Sequence, residues 1–307
     1  MSAGEQTSFH PPSTLLREPA LMSAQPVPAW QRKIKILLRE LAWHGSLIVA
    51  CAFVLAPIVI VFFGSFKTIP EFFASPYGLP QQWDLANYRE AWAEANLQTA
   101  AVNSVISTGF GVIASTFLAS LAAYGLSRFD FSGRNTLRLL FIGGLVVPVQ
   151  LLILPLFIMF RQAGLLGGLL PLCLIFAVFG IPLATLVLTG FFALLPRDLE
   201  DAARIDGASH LEIFWRIMLP LSRPALAAVV ILNGVWMWND FFLGFILISK
   251  PDAMTLPVAI MAFRGTYLTK WGLIFASVII SSVPVVIAYL MLSRQFIAGL
   301  TAGSVKG

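Results

Sequence analysis

Charge is scarce in this chain. Asp, Glu, Lys and Arg make up 11% of its 307 residues, against 58% hydrophobic. A soluble domain carries about twice that charged fraction, so a water-solvated globule is excluded. Cysteine is almost missing. Cys51 and Cys173 both sit in apolar runs, which excludes a disulfide framework and reads as two small buried hydrophobes. His10, His44 and His210 are scattered without metal-ligand spacing. No glycine is followed by lysine, so a phosphate-cradling G-x-x-x-x-G-K-[ST] loop is excluded. The apolar runs do not alternate with polar residues, which excludes barrel strands.

What remains is long apolar runs, each near the roughly 20 residues a helix needs to cross a bilayer. The fold class is therefore an all-α polytopic membrane protein. Six transmembrane helices are read at 46–64, 100–125, 137–160, 170–192, 225–248 and 272–292. Fourteen of the 20 Lys and Arg residues fall in the tails and the second and fourth connections, and six on the other side. The positive-inside bias places both termini in the cytoplasm, as an even span number requires. The pI near 9.5 follows from this topology, and no nucleic-acid partner is implied. Residues 1 to about 30 are Pro-rich and polar, without a secretory h-region, so a disordered tail and no cleaved signal are expected. In "QRKIKILLRELAWHG", Ile34, Leu37, Leu38 and Leu41 share a face, with Arg32, Lys33, Lys35 and Arg39 largely off it. Two readings stand: a basic amphipathic helix on the membrane surface, or an extension of the first span. The polar loop 65–99 contains "WDLANYREAWAEANLQ", an expected amphipathic helix leading into the second span.

The spans carry packing signals. Ser107, Gly111, Ser115, Ala119 and Ala123 recur every four residues, a small-residue stripe that lets helix backbones approach in lipid. Pro57, Pro148, Pro155, Pro182 and Pro284 lie inside spans, where each removes a helical hydrogen bond.

One stretch interrupts the apolar pattern: "LEDAARIDGASHLEIFWRIMLP", Leu199 to Pro220, between spans four and five. Pro196, Asp198, Glu200 and Asp201 mark a helix start, where the positive dipole end favours carboxylates. Ala202 and Ala203 are strong helix formers that let another surface come close. Asp206-Gly207 signals a turn. Ser209 with Glu212 three residues on forms a capping box. The second helix places Ile213, Ile217 and Phe214 on one face, and Leu219-Pro220 is expected to stop it. The product is helix, glycine turn, helix, polar outside and apolar inside.

That stretch resembles the cytoplasmic "EAA" loop of ABC importer permeases, written E-A-A, three residues, G, nine residues, I-x-L-P. Asp201-Ala202-Ala203, Gly207, Ile217, Leu219 and Pro220 hold those places, with Asp201 where the family usually has Glu. "NSV" at 103–105, "LAAYGLSRFDFSGR" at 121–134, "WNDF" at 238–241, "TLPVAI" at 255–260 and the terminal "AGLTAGSVKG" are similar to the carbohydrate-uptake branch, in particular the six-span permease of the maltose type. The resemblance implies a type I ABC importer transmembrane domain over 46–300 with a coupling loop at 193–222, flanked by tails at 1–45 and 301–307. It implies a subunit without its own ATPase site, in a bacterial inner membrane. A second, different permease would complete the pathway, two ATPase subunits would bind ATP and Mg, and a solute-binding protein would deliver a sugar or oligosaccharide. Glycerol phosphate or another polyol is the alternative solute. Glu200, Asp201, Ala202, Ala203, Asp206, Gly207, Ile217, Leu219 and Pro220 would couple the subunit to its motors. The tail from Leu300 would also touch the ATPases, and loop 249–271 would face the binding protein.

Asn239 and Asp240 fall near the middle of the fifth span, with Asn233, Trp236 and Trp238 close by; Gln150 sits beside Pro148. Such residues line pathways, as amides bonding hydroxyls and Trp stacking on sugars, or serve as interhelical hydrogen bonds. Two other classes compete with the permease reading. An ion-coupled secondary carrier calls for several intramembrane ionisable residues, and Asp240 stands alone. A membrane enzyme calls for a nucleophile–base cluster, and none is seen.

Overall fold

The computed structural model describes residues 29–265 and 269–302, with side chains described for Lys33, 37–265 and 269–291. The expected disordered tail before residue 29, and residues 303–307 of the C-terminal tail, lie outside the described residues. Two units divide the chain, residues 1–56 and Pro57–Gly307.

The first unit's described part is helical. Helix α1 (Ala29–Gly64) is one uninterrupted run with Pro57 inside it. Segment 31–45 and the first span form one continuous helix. Polar side chains here turn back on their own backbone: His44 Nδ1 lies 2.7 Å from Glu40 O, and Ser46 Oγ donates to Trp43 O at 2.8 Å. Leu41, Ile48 and Phe53 are exposed, as lipid-facing side chains of a span are.

In the second unit, α2 (Ile69–Ala74) is N-capped by Thr68, and α3 (Ala86–Glu94) follows. The expected helix before the second span is thus present but does not run into it. Asn96 takes a left-handed conformation at φ 47°, and α4 (Leu97–Arg128) starts afresh. Lys67 is buried in this region and donates to the carbonyls of Ser75 (2.7 Å) and Pro76 (3.3 Å), which fastens the segment after α1.

Helix α4 is the spine. Ser107, Gly111, Ser115, Ala119 and Ala123 are all buried, against α7 (Leu170–Phe179) and α8 (Ile181–Leu194). The small-residue stripe is the packing face, and its smallness is needed. A Cβ on Gly111 would lie 2.5 Å from Phe176 Cβ and 2.8 Å from Met237 Sδ.

Two of the remaining spans are broken where proline or polar residues fall. Between α4 and α7, α5 (Arg134–Val146) ends before Pro148, a 3₁₀ turn covers Val149–Leu152, and α6 (Ile153–Gln162) leaves at 89°. The expected third span, 137–160, is therefore two segments, because Pro148 takes an extended ψ of 125° that no helix continues through. After α8 come α9 (Asp198–Ile205), α10 (His210–Ile213), a π turn at Phe214–Met218 and α11 (Leu219–Leu221). Next is α12 (Arg223–Trp238), at 76° to the run His210–Leu221. The expected fifth span 225–248 is not continuous either: α12 stops at Asn239, and α13 (Phe242–Leu247) is separate. Helix α14 (Leu256–Ala259) and α15 (Trp271–Ala302), with Pro284 inside, complete the unit. Among the described residues, four helices are long and apolar enough to cross a membrane, or six if each bent pair is one span.

Candidate functional site: the polar helix–turn–helix between α8 and α12

Helix α9 opens with Asp198, Glu200 and Asp201 in its first turn and Arg204 in its last, charges that complement the dipole at both ends. It ends in a Schellman motif. Gly207 stands at φ +82°; its N–H donates to Arg204 O at 3.0 Å, and Ala208 N–H donates to Ala203 O at 2.9 Å. A side chain at that φ is strained, which is why the turn uses glycine. Two residues later Ser209 caps α10. Its hydroxyl accepts from Glu212 N–H at 3.3 Å, while Glu212 Oε2 accepts from Ser209 N–H at 2.9 Å. The bonds that Ser209 N–H and the Ser209 hydroxyl donate to Glu212 Oε2 hold the Glu212 carboxyl below the usual carboxylate range, with a smaller contribution from Arg216.

The element has two faces. Ile213, Phe214 and Met218 are buried in one cluster with Ala119, Ala123 and Tyr124 of α4, Leu188 and Phe192 of α8, and Val229 of α12, with Ile217 and Leu219 packed against it. Opposite, Asp201, Ala202, Asp206, Gly207 and Pro220 are exposed, and Ala203 is partly buried against the cluster. Ile205 is 86% exposed beside the turn. The helix stops one residue after Leu219-Pro220. The run continues to Leu221 and turns at Ser222, whose Oγ donates to Met218 O at 2.7 Å. A proline ring clashes with the carbonyl four residues back in a regular helix, and the wide π turn at Phe214–Met218 falls across that stretch.

Glu200 does not share the exposed face. It is buried at 3% exposure and faces the equally buried Arg128 as an ion pair. Tyr124 Oη donates to Glu200 Oε2 at 3.4 Å, and Arg128 Nη2 donates to Leu195 O at 2.9 Å. Sequence reasoning missed Arg128, Tyr124 and Leu195 here. The one available signal was "YGLSR" at the end of the second span, a basic residue one turn past a tyrosine at the start of a polar connection.

The intramembrane polar residues do not form one constellation. Asn233 is buried; its Nδ2 donates to Gly180 O (3.0 Å) and lies 3.3 Å from Ser115 Oγ, joining α12 to α4 and to the α7–α8 junction. Trp238 Nε1 donates to Ser281 O at 3.0 Å, joining α12 to α15. Asn239 is exposed and bonds its own helix at Val235 O. Asp240 Oδ2 accepts from the N–H groups of Leu243 (3.1 Å) and Gly244 (3.2 Å), satisfying orphan donors at the start of α13. Trp236 is exposed and edge-on to Phe176, and Gln150 is exposed in the turn between α5 and α6.

This geometry defines a class: a polytopic helical membrane protein that presents a polar helix–turn–helix from an apolar bundle. The sequence profile of the family described as "binding-protein-dependent transport system inner membrane component" matches residues 111–296, and the chain belongs to that family. Among its relatives, the diacetylchitobiose uptake system permease protein NgcG of Streptomyces coelicolor is 35% identical over 265 residues, which is 86% of this chain and 88% of that protein. The melibiose/raffinose/stachyose import permease protein MelC of Bacillus subtilis is 33% identical over 261 residues, 85% and 94% of the two chains. A chain in the crystal structure of a bacterial ABC transporter that imports the acidic polysaccharide alginate superposes with a TM-score of 0.69 at 24% identity. The match covers 88% of this chain and 99% of that one, a likeness of fold.

Proposed function

We propose that this protein is a non-catalytic permease subunit of an ABC importer for a sugar or oligosaccharide. It pairs with a second permease to form the pathway, accepts solute from a solute-binding protein, and is driven by two ATPase subunits that hold ATP and Mg. The observation that carries the reading is the exposed face of α9 and its turn, Asp201, Ala202, Ile205, Asp206 and Gly207, on an element whose other face is anchored in the bundle. Permease names among relatives that span most of the chain support it. The loop lies in the cytoplasm with both termini, as the Lys and Arg bias places it. Closure of the motors pushes the knob, and the bundle responds as a rigid body.

The experiment is reconstitution in liposomes. Uptake of labelled oligosaccharide is expected only with the second permease, the ATPase, the binding protein and ATP together. Uptake by this chain alone under an ion gradient would overturn the reading in favour of a secondary carrier.

A further inference from the structure

We propose that Arg128, Glu200 and Tyr124 form a buried clasp through which movement of α9 is passed to α4 and α8, which makes Arg128 and Glu200 positioning residues for coupling. The proposal rests on the docking reading above. Its basis is where α9 is held. Asp201, Ala202, Ile205 and Asp206 are exposed, and Glu200 is the one fully buried side chain of this helix. The one fully buried grip of the bundle on α9 is therefore a carboxylate, beside the small, partly buried Ala203 packed on the apolar cluster, while the neighbouring second helix is held by Ile213, Phe214 and Met218.

The partner of that carboxylate is placed to serve three helix ends. Arg128 is the last residue of α4. Its guanidinium faces Glu200 of α9 and donates to the carbonyl of Leu195, which ends α8. Tyr124, one turn earlier on α4, donates to the second carboxylate oxygen. Arg197, Asp201 and Arg204 line a small polar recess above the pair, about 110 Å³ in volume; these are the other charged groups facing it. Static attachment alone would be served as well by apolar packing, because desolvating two charges offsets most of their attraction. What an ion pair adds is direction: Arg128 sets Nε against Glu200 Oε1 and Nη2 on Leu195 O, while Tyr124 takes Glu200 Oε2, and together these contacts fix one register between the helices. A push on α9 then displaces the ends of α4 and α8 together, and cannot be absorbed by sliding.

The test uses the complete transporter in liposomes with its binding protein, reading solute moved per ATP hydrolysed. Crosslinking from an Ile205→Cys variant to the ATPase reads docking separately. Glu200→Gln is expected to keep the crosslink and stimulated hydrolysis while the transport ratio falls about tenfold, within the usual range of coupling energies. The swapped pair Arg128→Glu with Glu200→Arg is expected to regain part of the ratio. An apolar pair, Arg128→Met with Glu200→Leu, guards against misfolding of the swap: it should insert and dock, yet remain uncoupled. A native transport ratio in Glu200→Gln or in the apolar pair overturns the clasp. So does proportional loss of crosslink, hydrolysis and transport in Glu200→Gln, which a merely structural role predicts. If the crosslink is missing with Glu200 and Arg128 both intact, the docking reading itself fails and the clasp fails with it.

Discussion

Replacing Gly207 isolates the turn from the rest of the knob. The backbone there stands at φ +82°, and a Cβ built on it meets nothing within 4 Å. The penalty of substitution is therefore conformational, with no clash inside this chain to confuse it. A left-handed conformation costs an ordinary L-residue about 1–2 kcal/mol, more if β-branched, and less for Asn, which visits that region routinely. At about 1.4 kcal/mol per factor of ten, Gly207→Val should deplete the native turn at least tenfold. Both closing bonds, Gly207 N–H to Arg204 O and Ala208 N–H to Ala203 O, go with it. The assay is ATP-driven uptake in liposomes, with membrane insertion checked by protease accessibility. Expected uptake runs from Gly through Asn and Ala to Val, while insertion stays unchanged. Native uptake in Gly207→Val, or an Asn variant as impaired as Val, would refute the reasoning.

Other consequences follow from packing and capping. Gly111→Ala should lower the thermal midpoint of the detergent-solubilised protein, because its Cβ would press on Phe176 and Met237 at under 3 Å; Gly109→Ala on the same helix, with open space around it, should not. Ser209→Ala removes the N-cap of α10 and should cost about 0.5–2 kcal/mol, read as faster amide exchange over 210–213. The Glu212 carboxyl is held below its ordinary range. Its contribution is thus complete above the unfolded carboxyl pKa and fades as pH falls through the lower folded value; exchange at 210–213 should rise only in acid, and Glu212→Gln should flatten that dependence. Asn233→Ala should cost about 0.6–1.7 kcal/mol of stability, as intramembrane hydrogen bonds do, and leave the KM for solute unchanged. A KM shift without a stability loss would make Asn233 a pathway residue.

Local features were legible because their causes are local. The stripe from Ser107 to Ala123 follows from a four-residue repeat, the Ser209–Glu212 box from a three-residue spacing, and the turn at Gly207 from a glycine after a polar residue. Reading failed where an outcome is set at a distance. Glu200 looks like one more acid at a helix start; its burial depends on Tyr124 and Arg128 on another helix, Tyr124 being 76 residues away. Asn239 and Asp240 look like mid-span polar residues, yet they mark the end of α12 and cap α13. Pro220 reads as a stop, and the helix does end at Leu221, but the π turn at Phe214–Met218 just before it has no spacing signal.

Amide exchange of this subunit in a lipid nanodisc, with and without the ATPase subunits, tests the docking surface most directly. The account predicts that residues 199–210 become strongly protected on adding the ATPase, with 213–218 already protected by burial. Unchanged exchange over 199–210 in a complex that hydrolyses ATP and transports solute would contradict it.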